Sequence, residues 1–303
     1  MIEALNLTKR YKDKLAVDDV SFTVRPGSVV GLLGPNGAGK TTTMRLMLGL
    51  DKGKGETYYD GKALGEYRHP LREVGFLLDA KSFHPSRSAR NHLQVLADSA
   101  GISSERVQEV LEIVGIADVA DKRPGGFSLG MGQRLGLAAA ILGKPRYLIL
   151  DEPGNGLDPE GISWLRKFMQ NYAAEGNVVF VSSHLLGEMS QLASDVIVIG
   201  KGRLLANTSI DELLGDKAKQ AVFVRAQSID QLEEVLRKQG INITKEEDGL
   251  IAEGVSTDTV GSVAHKEGVM LYELSGRSAS LEDVFLSLTS ESQEYRSIDA
   301  EGK

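Results

Sequence analysis

Glycines, a lysine and two threonines follow a short apolar run near the start of the chain, in a spacing that suits phosphate binding. The stretch VGLLGPNGAGKTT at residues 30–42 fits the pattern G-x-x-x-x-G-K-[ST], and a helical pattern follows it. Glycines let the backbone wrap a phosphate chain and turn its N–H groups inward, and a helix start adds the positive end of its dipole. The residues of this predicted phosphate loop are Gly34, Pro35, Asn36, Gly37, Ala38, Gly39, Lys40, Thr41 and Thr42.

Two side chains of this loop carry specific chemistry. Lys40 is placed to reach the β- and γ-phosphates of a nucleotide, and the Thr41 hydroxyl is placed to coordinate Mg²⁺. The alternative is an ordinary glycine-rich turn before a helix, but every fixed position of the pattern is matched. We therefore predict that the chain binds a nucleoside triphosphate. The loop alone leaves kinases, GTPases and helicases open.

Two acids stand at the end of a second apolar run, Leu148–Glu152 (LILDE). Open α/β sheets place ligands at the carboxyl ends of their strands, where these acids would lie. Asp151 can hold Mg²⁺ or its water, and Glu152 is positioned as the base that polarises an attacking water. General-base catalysis supplies about 10²–10⁴-fold in rate. The alternative is a strand end with two solvated acids.

A serine and a glycine open a third feature, the segment FSLGMGQR at Phe127–Arg134. A serine hydroxyl and glycine N–H groups at a helix start can form an anion site, and Ser128 and Gly130 are placed to do so. The alternative is a helix N-cap without a ligand.

The order of these three features resembles that of the ABC-type ATPases. Their signature motif is usually Leu-Ser-Gly-Gly-Gln followed by a Gln/Arg-rich helix start. This sequence keeps Ser128 and Gly130 and has Gln133-Arg134 downstream, but it carries Leu129 and Met131 at the third and fifth positions. The departures resemble the variant found in the daunorubicin- and bacitracin-type export ATPases.

The resemblance implies roles for residues in three further segments. Asn155–Asp158 resembles the D-loop, which contacts the opposite subunit, so Asp158 is predicted at that site. Ser182–His184 resembles the switch-histidine segment, in which His184 would contact the γ-phosphate. Tyr11 matches the aromatic residue that stacks on adenine. Taken alone, a histidine is more often a surface or capping residue, and Tyr11 could be a core or edge aromatic.

One position departs from the family in an informative way. Asp79, in GFLLDA, stands where the family usually has a glutamine that ligates Mg²⁺ and relays the nucleotide state to a membrane partner. Aspartate is shorter and adds negative charge near the γ-phosphate. We predict that Asp79 coordinates Mg²⁺ through water and tunes the rate of turnover.

Composition limits the remaining possibilities. The 303 residues carry a formal net charge of −7, which argues against a general nucleic-acid surface, and contain no cysteine for disulfides or thiol metal sites. The charged start MIEALNLTKRYKDK lacks the apolar core of a signal peptide. Apolar stretches such as Leu135–Leu142 are far shorter than the eighteen or so residues that cross a bilayer. We predict a cytoplasmic protein that reaches the membrane through a partner.

The pattern of elements predicts an α/β fold. Residues 1–215 are predicted to form a P-loop NTPase domain of ABC type, with a mostly parallel sheet, an antiparallel N-terminal subsheet (strands at 2–8 and 20–24) and a helical subdomain. Residues 216–289 are predicted to form a small α/β domain with ferredoxin-like topology, ending in a helix over about 280–288. Residues 290–303 are polar and predicted to be disordered.

The family's geometry implies a mechanism and partners. Two ATPase subunits, here expected to be a homodimer, would sandwich two ATP molecules and drive a separate membrane-spanning permease that exports drugs, peptide antibiotics or lipids. One alternative is a soluble ABC protein of DNA repair or translation, but no coiled-coil insertion, zinc module or tandem core is visible. Another is a regulatory subunit with little hydrolysis, which Glu152 and His184 argue against and Asp79 leaves open.

Overall fold

A computed structural model describes residues 1–183, 186–214, 221–246 and 248–277, together with Phe285 and Leu288. The chain forms two compact units, the first built mainly from Met1–Ser209 and the second from Ile210–Ser287. The predicted boundary at residues 215 and 216 and the predicted tail at 290–303 lie outside the described residues. Of the predicted helix over 280–288, only Phe285, which is buried, and Leu288 are described.

The first unit combines two sheets with a group of helices. Its strands are, in chain order, β1 (Ile2–Tyr11), β2 (Lys14–Val24), β3 (Val29–Leu33), β4 (Lys54–Tyr59), β5 (Lys62–Ala63), β6 (Val74–Leu77), β7 (Tyr147–Leu150), β8 (Val178–Ser182), β9 (Asp195–Gly200) and β10 (Arg203–Ser209). Its helices are α1 (Lys40–Met47), α2 (Ala89–Ser99), α3 (Ser104–Ile113), α4 (Leu129–Ile141), α5 (Pro159–Ala174) and α6 (Leu186–Leu192).

The larger sheet has the strand order β10-β9-β3-β8-β7-β6 and is parallel except at β10. Every residue of β3, β7 and β8 is buried, as expected for central strands whose sequences are continuous apolar runs. Because β3 and β7 run in the same direction, their carboxyl ends lie at the same edge of the sheet. The phosphate loop and the acid pair begin at that edge.

The smaller sheet is antiparallel, with the order β2-β1-β4-β5. The predicted strands at 2–8 and 20–24 are present but too short, because β1 extends to Tyr11 and β2 starts at Lys14. Shifts in the β1–β2 register and a positive φ at Asn6 and Asp19 break the polar–apolar alternation on which the prediction relied. Tyr11 therefore ends a strand instead of lying in a connection.

Helices α2, α3 and α4 form the predicted helical subdomain. Their buried faces include Leu93, Val107, Leu111 and Leu135. Ser88 and Ser128 cap α2 and α4, because each side-chain hydroxyl accepts a hydrogen bond from the backbone N–H three residues later.

The second unit is a four-stranded antiparallel sheet with two main helices. Its elements are α7 (Ile210–Leu214), β11 (Ala221–Ala226), α8 (Ile229–Lys238), β12 (Asn242–Glu246), β13 (Gly249–Glu253), α9 (Thr257–Lys266) and β14 (Leu271–Arg277). The strand order β12-β13-β11-β14 is that of the predicted ferredoxin-like topology. Its core includes Val222, Val224, Leu232, Leu236 and Val260.

Among the described residues, no helix combines the length and the apolarity that a bilayer crossing needs.

Candidate active site

The phosphate loop is formed by the tight connection between β3 and α1. Gly37 and Gly39 have φ values of 81° and 106°, which side chains with a Cβ rarely adopt. A Cβ on Gly39 would also lie 2.5 Å from the carbonyl oxygen of Ala16. The loop is therefore held against β2, with the first turn of α1 at its mouth.

Lys40 is buried at the base of this loop. Its Nζ donates a hydrogen bond to the carbonyl oxygen of Gly34 at 2.6 Å and lies 3.9 Å from Oε1 of Glu152. Burial lowers the pKa of Lys40 from its usual value, while the negative charges of Glu152 and Asp151 oppose that shift. A buried ammonium group thus faces the two acids across the site.

Asp151 contacts Thr41, one of the two other side chains predicted to hold a metal ion. It is buried, and its Oδ2 accepts a hydrogen bond from the Thr41 hydroxyl at 2.5 Å. Its Oδ1 accepts one from the Ser182 hydroxyl, also at 2.5 Å. Because both partners donate, the carboxylate acts as an acceptor, as a metal-ligating carboxylate must.

Glu152 follows Asp151 with an unusual backbone. Its φ is 48°, a left-handed conformation that is uncommon for residues other than glycine. Its N–H donates to Ser182 Oγ at 2.9 Å, and its carbonyl oxygen accepts from Nε2 of Gln133 at 3.2 Å. The side chain is partly exposed and faces Lys40.

These residues line one cleft of about 550 Å³, a volume in the usual range for ligand pockets. The cleft brings together Tyr11, most of the phosphate loop and both acids. Lys14, Ala16 and Asn155 also line it and were not predicted. The lining residues are Tyr11, Lys14, Ala16, Pro35, Asn36, Gly37, Gly39, Lys40, Thr41, Thr42, Asp151, Glu152 and Asn155.

Tyr11 stands at the rim of the cleft with its hydroxyl fixed. It is 45% exposed, and its hydroxyl donates to Oδ2 of Asp51 at 2.5 Å. Asp51 also accepts a hydrogen bond from Arg45 at 2.9 Å, and the hydrogen bonds from Arg45 and Tyr11 lower the pKa of Asp51 to about 2. Sequence reasoning missed Asp51, which lies in a turn-rich stretch without a motif of its own.

The predicted anion site lies elsewhere on the same unit. Ser128 caps α4 by accepting a hydrogen bond from the N–H of Met131 at 3.2 Å. A Cβ on Gly130 would lie 2.6 Å from the carbonyl oxygen of Gly156, and one on Gly156 would lie 2.6 Å from Cδ2 of Leu129. The segment Phe127–Arg134, called the signature segment below, is therefore packed closely on the segment Asn155–Asp158.

Six predicted site residues do not line the cleft around Lys40 and Glu152. The described residues that line it do not include Gly34, Ala38, Asp79, Ser128, Gly130 or Asp158. Asp158 caps α5 through a hydrogen bond from the N–H of Gly161 at 2.9 Å. His184 lies outside the described residues.

Asp79 lines a neighbouring cavity of about 400 Å³, together with Thr41 and Arg45. Its Oδ1 accepts a hydrogen bond from the N–H of Lys81 at 2.9 Å. Much of the remaining lining is apolar, including Leu50, Phe76, Leu77, Phe83, Leu96 and Leu135.

A phosphate loop facing an acid pair at the carboxyl edge of a parallel sheet, with a helical subdomain that carries a signature segment, defines the class of ABC-type ATPases. Comparison with known proteins agrees with this class. Residues 17–155 match the family described as ABC transporter, and residues 220–282 match a domain of unknown function, DUF8746.

Full-length relatives extend the match over nearly the whole chain. An uncharacterized ABC transporter ATP-binding protein, YhcH of Bacillus subtilis (strain 168), is 36% identical over 97% of this chain and 97% of its own. The bacitracin transport ATP-binding protein BcrA of Bacillus licheniformis is 37% identical over 95% of this chain and 97% of its own. The lantibiotic transport ATP-binding protein SrtF of Streptococcus pyogenes is 36% identical over 70% of this chain and 92% of its own.

Solved structures share the fold. One of the ATP-binding subunit of an ABC transporter has a TM-score of 0.64 at 24% identity, covering 86% of this chain and 98% of that one. A dimeric post-hydrolysis structure of the ATP-binding cassette MJ0796, bound to ADP and phosphate, has a TM-score of 0.62 at 22% identity, covering 70% of this chain and 99% of that one. The chain belongs to the ATP-binding proteins of ABC transporters. The predicted fold class and family are confirmed.

Proposed function

We propose that this protein hydrolyses ATP with Mg²⁺ as one of two identical subunits, and that this hydrolysis drives export by a separate membrane-spanning permease. The observation that carries the proposal is the placement of Lys40, Thr41, Asp151 and Glu152 around one cleft. Relatives named for bacitracin and lantibiotic transport favour peptide antibiotics among the substrate classes that the sequence predicts, which also include drugs and lipids.

The residues of the cleft have separable tasks. Lys40 and the N–H groups of the phosphate loop bind and orient the β- and γ-phosphates. The carboxylate of Glu152, whose Oε1 lies 3.9 Å from Nζ of Lys40, accepts a proton from the attacking water.

The chemistry of two donors supports a Mg²⁺ site. Oxygen atoms of Thr41 and Asp151 lie 2.5 Å apart in the cleft, and both are the hard ligands that Mg²⁺ prefers. Mg²⁺ in nucleotide sites takes few protein ligands beside substrate phosphates and waters, so this pair is sufficient, although no cluster of three or more metal-binding side chains occurs in the described part of the chain. When bound, the ion neutralises charge that develops on the phosphates.

The position of the signature segment supports a dimer. Ser128 and Gly130 do not line the cleft of their own subunit. In this proposal they bind the nucleotide that is held by the second subunit, next to Asp158 of that subunit. His184 stays a prediction as the residue that contacts the γ-phosphate.

The cavity beside Asp79 suits the permease. It joins an apolar lining to a carboxylate and an arginine, and it shares Thr41 with the nucleotide cleft. We propose that the permease binds at this cavity. The protein would then lie at the cytoplasmic face of the membrane.

Replacing Asp79 with alanine is expected to slow ATP turnover by about tenfold and to raise the Mg²⁺ concentration needed for half-maximal activity. Loss of a residue that orients metal ligands without contacting the metal lowers metal affinity or activity by about 10–100-fold, and we expect the lower end of that range. Phosphate release measured across a Mg²⁺ titration checks this. Unchanged turnover together with an unchanged Mg²⁺ profile would remove the assigned role, and Asp98→Ala, at an exposed site on α2, serves as the control.

Replacing Asp51 with alanine is expected to weaken ATP binding by about three- to tenfold, because Tyr11 loses the hydrogen bond that fixes its ring for stacking, and such ring contacts are worth about 0.5–1.5 kcal/mol. Binding of inorganic tripolyphosphate, which has no base, should not change. Titration calorimetry with both ligands separates the two effects. Equal weakening of both ligands would place Asp51 in phosphate binding instead.

The function as a whole is tested by purifying the chain from membranes solubilised in mild detergent, with the bound proteins identified by mass spectrometry. A multi-span membrane protein in defined stoichiometry, together with Mg²⁺-dependent ATP hydrolysis by the complex, supports the proposal. Recovery with nucleic acid or ribosomes, or a complex that binds ATP without hydrolysing it, contradicts it.

A further inference from the structure

The backbone of Glu152 is held by side chains from two separate elements. Ser182, at the end of β8, accepts the hydrogen bond of its N–H, and Gln133, on α4, donates to its carbonyl oxygen. Both side chains are buried. A left-handed conformation at a residue other than glycine persists only where its surroundings enforce it, and these two bonds contribute to that enforcement.

The carbonyl of Glu152 has two hydrogen-bond donors, the side-chain amide of Gln133 and the backbone N–H of Asn155, each at 3.2 Å. The carbonyl of Glu152 belongs to the peptide bond before Pro153, and proline has no N–H to join a local hydrogen-bond pattern. The turn bond from Asn155 and the side-chain bond from Gln133 therefore fix this peptide group together, and the bond from Gln133 is the one that a side-chain substitution removes.

The side-chain amide of Gln133 is only half used in hydrogen bonding. Its Nε2 is used, but among the described residues its buried Oε1 has no hydrogen-bond partner. An unpaired buried acceptor lowers stability, so packing alone favours an apolar residue of the same shape at this position. The cost points to a task beyond packing.

We propose that Gln133 is a positioning residue for the general base: its amide fixes the peptide group of Glu152 and thereby aims the carboxylate at the attacking water. The inference rests on the proposed function, in which Glu152 is that base. The same helix begins after Ser128, so the signature segment and the support of the base belong to one element.

The test replaces Gln133 with methionine, which has nearly the same shape and no N–H. The kcat for ATP hydrolysis should fall about tenfold, the loss expected from one hydrogen bond of ordinary strength. The dissociation constant for ATP should stay within twofold, and the melting temperature should be unchanged or higher, because the unpaired Oε1 is gone. A packing role cannot produce a lower kcat at a higher melting temperature.

A matched control is available on α5. Gln170 is exposed, and its Nε2 donates to the backbone carbonyl of Gln191 at 3.0 Å, a bond of the same kind away from the cleft. Gln170→Met should keep the wild-type kcat. Gln133→Leu is a second apolar variant in case the methionine variant does not fold.

The outcomes separate this inference from the function beneath it. If Gln133→Met keeps the wild-type kcat while Glu152→Gln is inactive, the positioning role is wrong and the proposed function stands. If kcat, ATP affinity and melting temperature all fall together in both apolar variants, Gln133 is a packing residue and the inference is overturned. If wild type and Glu152→Gln hydrolyse ATP equally, the proposed function itself fails.

Discussion

Replacing Glu152 with glutamine is expected to lower the rate of ATP hydrolysis by about 10²–10⁴-fold, the range that general-base catalysis supplies. Glutamine keeps the size of the side chain but cannot accept the proton of the attacking water. Lys40, Thr41 and Asp151 are unchanged, so ATP should still bind. We expect the two subunits to separate when ATP is hydrolysed, so the variant should accumulate as an ATP-bound dimer.

Two measurements check this expectation: phosphate release at saturating ATP, and the molar mass in solution with and without ATP. The control is Glu160→Gln, at an exposed acid in the first turn of α5, which should hydrolyse ATP at the wild-type rate. Rapid turnover by Glu152→Gln would show that another group acts as the base.

Replacing Lys40 with methionine is expected to weaken ATP binding by about 10²-fold or more. Hydrogen bonds to charged groups contribute about 1.5–3 kcal/mol, and Lys40 is placed to make more than one to the phosphates. The fold should tolerate the change. Burial lowers the pKa of Lys40 in the folded chain, so at neutral pH its charge opposes folding, and methionine removes that charge.

Equilibrium binding of ATP and thermal unfolding separate these effects. We expect weak binding with a melting temperature close to that of the wild type or above it. Lys167→Met, at an exposed lysine of α5, is the control for loss of one positive charge and should bind ATP normally. Tight ATP binding by Lys40→Met would contradict the assignment of Lys40 to the phosphates.

The parts of the fold that the sequence predicts best are those with the plainest local signal. The apolar run that precedes the two acids of LILDE forms strand β7 (Tyr147–Leu150), because a continuous apolar run between polar turns has one reasonable interpretation. Strand β1 was predicted too short, because bulges disturb its alternation and its pairing with β2 decides where it ends.

The same distinction holds within the site. The phosphate loop and LILDE are contiguous motifs. Their spacing is therefore enough to predict Lys40, Thr41, Asp151 and Glu152 as site residues. Asp51 accepts hydrogen bonds from Tyr11, which ends β1, and from Arg45. Such partners belong to tertiary structure, and no local pattern marks them.

The cavity that Asp79 lines could not be predicted from its position in the sequence, and the role of Asp79 toward Mg²⁺ stays a prediction. Asp79 follows β6, the edge strand of the larger sheet, whereas β3 lies near the middle with β8 and β7 between them. Sequence position places Asp79 at the carboxyl end of a strand, but the strand order decides which cavity that end faces.

The position of β3 in the sheet also governs how the protein is made. This strand is complete by Leu33, yet its two neighbours are β8 and β9, which end at Ser182 and Gly200. A growing chain on the ribosome therefore carries an apolar strand with no partner until most of the first unit has been synthesised. The nascent chain thus depends on shielding of an unpaired strand, a state in which partly made chains are prone to aggregate.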